Sequence, residues 1–131
     1  MTAALRRFAS SAFVHLLVAF VAMGSWAFYA NRNFPQPQPL VSGLVQGMLS
    51  ALLTLFLKSA IDFLSRRFTG TTAYWAPPLI ACLGSATLLV VVHMLGGTPK
   101  IARTIAIPLL VSTSYATLYN YSLIRRGGGK P

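Results

Sequence analysis

Four apolar runs, each long enough to cross a lipid bilayer, constrain this chain more than any other feature. They are FASSAFVHLLVAFVAMGSWAFYA (8–30), LVSGLVQGMLSALLTLFL (40–57, continuing through a charged end to residue 65), YWAPPLIACLGSATLLVVVHMLG (74–96) and TIAIPLLVSTSYATLYNYSLI (104–124). A span needs about 20 residues with few or no charges. Hydrocarbon offers the backbone no hydrogen-bonding partner, so each run must satisfy its own N–H and C=O groups and fold as a helix.

Composition argues the same way. Only 9% of the residues are charged and 55% are hydrophobic, with a mean hydropathy of +0.64. A soluble domain carries about a quarter charged residues, and this chain has too few polar groups to cover a water-facing surface. The expected fold is therefore all-α: an integral membrane four-helix antiparallel bundle, in a single domain over 1–126, with helices near 8–30, 40–65, 74–96 and 104–124. Residues 127–131, within RRGGGKP, read as a flexible, glycine-linker tail. The one cysteine, Cys82, excludes an internal disulfide.

The connections NRNFPQPQP, SRRFTGTT and GTPK are short, which makes successive helices antiparallel neighbours. Basic residues in short loops favour the cytoplasmic side. With both termini inside, Arg6, Arg7, Lys58, Arg66, Arg67, Arg125, Arg126 and Lys130 are cytoplasmic, and Arg32, Lys100 and Arg103 are outside, eight against three. This predicts an N-in/C-in protein of the cell inner (plasma) membrane. Trp26, Tyr29, Tyr74 and Trp75 sit where interfacial aromatic anchors belong, and Pro77 and Pro78 are expected in a first helical turn. A rival reading takes MTAALRR and the run after it as a cleaved signal peptide with a small-residue site near Ala22 and Gly24; the run is longer than the roughly 7 to 15 apolar residues of a signal core, which favours a span.

The net charge of +10 is spread over helix ends and forms no basic stripe with interleaved aromatics, which argues against a nucleic-acid partner. Anionic membrane lipids are the expected partners, each basic residue near such a surface contributing about 1 kcal/mol. A homo-oligomeric or membrane-protein partner is also expected, because of the second run. There Gly43, Gln46, Gly47, Ser50, Thr54 and Lys58 fall within an arc of about 120° on a helical wheel. Small and polar residues mark helix–helix contacts in membranes, and Ala51 extends the G-x-x-x-G pair by a turn. The fourth run offers a similar face through Thr104, Pro108, Ser112, Tyr115, Tyr119 and Ser122, and the first through Ser11, His15, Ala19, Ala22 and Trp26. Helices one, two and four are thus expected to share a polar interior.

Asp62 is the only acidic residue. It lies four residues from both Lys58 and Arg66. His15 and Lys58, each eight residues inside an arginine, share a depth of about 12 Å. A cluster of His15, Lys58, Asp62, Tyr119 and Asn120, bordered by Arg66 and Arg67, could meet lipid headgroups or an anionic substrate, since ionisable groups inside a membrane mark substrate or ion paths. In the plainer reading Lys58 snorkels, Asp62 pairs at i,i±4, and each histidine makes one interhelical hydrogen bond. His15 and His93 fall in opposite halves of the bundle, so a single protomer cannot bring both to one haem iron. No cofactor or metal site is expected.

A single carboxylate rules out paired acid/base chemistry. No H-E-x-x-H or phosphate-cradling glycine loop occurs, and a non-enzymatic role follows. In general form (four helices, this length, short loops, a basic cytoplasmic side) the chain resembles the GtrA-type small membrane proteins, associated with moving polyprenyl-linked sugars, and the small multidrug transporters. The membrane-embedded Glu of the latter has no counterpart in FASSAFVHLLVAF, and no motif of the former matches residue by residue. Two roles are consistent with these features. One is a transporter or flippase-like element for an anionic, lipid-linked substrate. The other is an assembly subunit that docks through the Gly43/Gly47 face.

Overall fold

A computed structural model describes residues 2–127, the side chains of residues 8 and 9 excepted. Four helices account for nearly all of them: α1 (Ala3–Ala30), α2 (Gln38–Ser65), α3 (Thr72–Leu95) and α4 (Ile101–Gly127). All four are long and apolar enough to cross a membrane. The helices begin two to five residues earlier than the apolar runs that announce them. In α1 the Thr2 hydroxyl accepts from the Leu5 amide, which draws Arg6 and Arg7 into the helix. Gly127 closes α4, and 128–131, where the tail was expected, lie outside the described residues. The turns at 66–71 and 96–100 each use a glycine at positive φ, Gly70 (64°) and Gly97 (72°), which a residue with a Cβ rarely adopts.

α2 packs against every other helix, and α4 meets it across the middle of the bundle. α1 and α3 lie on opposite sides and make no contact with each other among the described residues. The core is layered along its length. Leu49, Leu89 and Ile105 form one apolar layer, and Leu57, Ile61, Ala81 and Ala116 form another. Beyond each lie buried polar groups. The outside is apolar: Phe13, Phe56, Leu83, Leu110 and Leu118 are each more than half exposed, far beyond what a water-soluble surface tolerates.

Glycine permits a close contact between α1 and α2. A Cβ on Gly24 of α1 would lie 2.8 Å from the Gly43 carbonyl oxygen of α2, and one on Gly43 would lie 3.0 Å from the Gly24 carbonyl oxygen. Gly47 faces Phe20 equally closely. Backbone thus approaches backbone, as small residues permit. The packed face of α1 accordingly runs through Phe20, Gly24 and Ala27, and not through the expected Ser11, His15 and Ala22, which all face outward.

Pro77 and Pro78 are inside α3, not in its first turn, because the helix starts at Thr72. Neither has an N–H, so the carbonyls of Ala73 and Tyr74 lose their i+4 donors. Asn120 of α4 replaces both: its Nδ2 donates to Ala73 O at 2.8 Å and to Tyr74 O at 3.2 Å. The side chain is 1% exposed, so the substitute bonds are sheltered from any competing solvent.

Candidate functional site

Near the C-terminal end of α2, Lys58 and Asp62 lie on one helix face at i,i+4 spacing. Lys58 Nζ is 3.2 Å from Asp62 Oδ2. The Tyr119 hydroxyl of α4 donates to the other carboxylate oxygen, Oδ1, and the Lys58 ammonium lies 5.4 Å from the centre of the Tyr119 ring. Tyr115 stacks on Tyr119 with centroids 5.7 Å apart and planes within 5°. The single carboxylate therefore joins two helices and fixes an ammonium against an aromatic pair. Lys58 remains largely exposed while Asp62 is half-buried, so the cation faces outward and its counter-ion inward. A lysine ammonium has three donors, and Asp62 occupies one.

Of the expected cluster, Lys58, Asp62 and Tyr119 come together. His15 does not join them. It is exposed, and its Nδ1 bonds the Ser11 carbonyl one turn back on its own helix at 2.8 Å. Asn120 turns away to the α3 carbonyls, a demand created by Pro77 and Pro78. Arg66 is exposed at the end of α2, and Arg67 folds over the Phe63 ring at 4.5 Å.

Of the expected interface residues, Gly43, Gln46, Gly47 and Ser50 are buried, Ala51 and Ser112 are half-buried, and Thr54 and Tyr115 face outward. Thr54 spends its hydroxyl on the Ser50 carbonyl of its own helix. The Gly43/Gly47 face is covered by α1 of the same chain and presents no free surface to a partner.

A second polar group, centred on α3, lies at the other end of the bundle. His93 is fully buried. Its Nδ1 is 2.7 Å from Thr98 Oγ1 and its Nε2 is 2.8 Å from Gln46 Oε1. Gln46 Nε2 donates to Ser50 Oγ at 2.8 Å, and Ser42 Oγ donates to Thr98 Oγ1 at 3.3 Å. With the Gln46 amide donating to Ser50, its oxygen accepts from His93 Nε2–H, so Nδ1 accepts from Thr98. Every member is satisfied, and both ring nitrogens are occupied. α3, left out of the polar interior expected for helices one, two and four, thus supplies the centre of this buried network, while among the described residues α1 contributes the buried polar Asn31 at its end. The signal for Gln46 was its place on the small-residue face. Thr98 sits in a loop and gave no sequence signal.

Among the described residues no three His, Cys, Asp or Glu side chains gather into a metal-ligating group. Comparison of the chain with known protein families, curated proteins and solved structures returned no match.

Proposed function

We propose that this chain is a non-enzymatic, multi-pass protein of a cell inner membrane, acting as a transporter or flippase-like element for an anionic or lipid-linked substrate. In this reading it is an antiparallel bundle with both termini cytoplasmic. The pairing of ends supports the antiparallel order: the end of α1 meets the start of α4 through Asn31 and Thr104, and the end of α4 meets the start of α3 through Asn120 and Ala73. The apolar exterior supports insertion.

The observation that carries the function is the outward Lys58 ammonium, fixed by Asp62 and Tyr119 within an otherwise apolar span. An ionisable group at that depth is costly and marks a functional position. Its unused donors suit a phosphate or carboxylate. The parallel Tyr115 and Tyr119 rings beside it suit the flat face of a sugar or the stem of a lipid. Arg66 and Arg67, two turns further along, would draw the headgroup in from the membrane surface. Lys58→Ala is expected to lower anionic-lipid binding, read by native mass spectrometry, while leaving helix content unchanged. Binding equal to that of the parent chain would remove the site. The assembly-subunit reading through Gly43 and Gly47 is weaker, since a partner helix would first have to displace α1.

A further inference from the structure

The three cations at the opposite end, Arg32, Lys100 and Arg103, are the minority that the charge bias leaves outside. They come from two distant segments, and the fold gathers them. Asn31, fully buried, accepts from the Lys100 backbone amide at 2.9 Å and donates to Thr104 Oγ1 at 2.7 Å. Trp26 Nε1 donates to the Arg103 carbonyl at 3.1 Å. This clasp joins the end of α1 to the start of α4, with the Arg32, Lys100 and Arg103 side chains all exposed around it. Arg32 is already braced: its guanidinium lies 3.9 Å from the Tyr29 ring centre, and one nitrogen donates to the Tyr29 carbonyl at 2.9 Å. Trp26 and Tyr29 stand beside it with ring centroids 6.0 Å apart.

Nothing acidic balances this group. The one carboxylate side chain is bonded to Lys58 at the far end of α2. Lys100 and Arg103 moreover flank the start of α4, the positive end of its dipole, where acidic side chains are favoured. The first turn of α4 holds none. Three exposed cations beside a helix start make a positive patch that an anion would balance. Trp26 and Tyr29 are the residue types that settle at the headgroup level of a bilayer, so the anion that reaches this patch is the one fixed at that depth.

We propose that this clasp is a second binding site, for the phosphate of an anionic lipid headgroup in the leaflet opposite Lys58. Arg32, Lys100 and Arg103 hold the phosphate oxygens, and Trp26 and Tyr29 border the glycerol region. The site rests on the membrane reading but not on Lys58, so the two sites stand or fall separately.

The test uses the purified full chain in detergent, with phosphatidylglycerol, phosphatidylcholine or inorganic phosphate added and retained ligand counted by native mass spectrometry. Three variants are compared with the parent: an outer one carrying Arg32→Gln, Lys100→Gln and Arg103→Gln, a charge-preserving one carrying Arg32→Lys, Lys100→Arg and Arg103→Lys, and an inner one carrying Lys58→Ala, Arg66→Gln and Arg67→Gln. The parent should retain phosphatidylglycerol over phosphatidylcholine. The outer variant should bind it roughly tenfold or more weakly, given the contribution of each basic residue near an anionic surface, and the charge-preserving variant should recover most of that binding. Undiminished phosphatidylglycerol binding in the outer variant would overturn the proposal. So would loss confined to the inner variant, which leaves the Lys58 site standing. If millimolar inorganic phosphate displaces the lipid, the clasp takes free anions and the headgroup assignment falls.

Discussion

Asn120 shows how one side chain can be required by two residues on another helix. Consecutive prolines at 77 and 78 free two successive carbonyls, and a single primary amide has the two hydrogens needed to bond both. Replacing it with leucine strands the pair in an apolar surround, where an unmet polar group costs about 1–3 kcal/mol. Asn120→Leu is therefore expected to destabilise the bundle by roughly that amount in a detergent-unfolding titration. In a background carrying Pro77→Ala and Pro78→Ala, the restored backbone N–H groups serve the same carbonyls, and the cost of Asn120→Leu should shrink. Equal costs in the two backgrounds would break the link between Asn120 and the prolines. Half of this relation turns on where the helix starts: read from residue 74, both prolines fall in the first turn and free no carbonyl, whereas a start at Thr72 puts them one turn inside and orphans two. What the sequence could not give was the donor, because Asn120 reads from depth alone as a neighbour of Asp62.

At the scale of the elements, α1 and α2 are held by shape. A Cβ at Gly24 meets a backbone oxygen, which cannot rotate aside as a side chain would, so even alanine must push the helices apart. Overpacking of this kind costs about 1–3 kcal/mol, against a helix-propensity gain of about 1 kcal/mol for removing a glycine. Gly84 of α3 is the internal control, since nothing lies within 4 Å of the Cβ it lacks. Gly24→Ala should lower the unfolding midpoint while Gly84→Ala leaves it level or raises it; matching midpoints would mean that α1 and α2 are not locked at this point. The small-residue face of α2 was legible from Gly43 and Gly47 on a helical wheel, but its occupant was not. A wheel ranks the faces of one helix and is silent about which neighbour arrives. On α1 the polar stripe of Ser11 and His15 was a false guide, because the histidine spends its bond on the Ser11 carbonyl of its own helix and backbone approach at Gly24 decides the face. His93 makes the interhelical hydrogen bond expected of it, to Gln46 of α2, and the fold adds Thr98 of the following loop at its second nitrogen.

For the whole molecule, the proposed orientation rests on the chain's charge arithmetic, which can be changed without touching the core. Arg6, Arg7, Arg66 and Arg67 are all exposed and none supports a buried contact. With eight basic residues on the proposed cytoplasmic side and three on the other, a reporter protein active only in the cytoplasm should be active when fused to either terminus. An even number of spans requires the two fusions to agree; disagreement between them would sink the four-span order itself. Replacing those four arginines with glutamine leaves four cations, Lys58, Arg125, Arg126 and Lys130, against Arg32, Lys100 and Arg103, that is, eight less four against three. Orientation follows the basic-residue bias of short loops, so this near balance predicts a mixed population, in which cytoplasmic and external reporters fused at the same terminus are both active. Removing Arg32, Lys100 and Arg103 as well restores the bias, to four against none, and should return the chain to a single orientation. A variant that stays uniformly oriented at four against three would show that something other than loop charge, such as the packing of α1 on α2 during insertion, sets the direction.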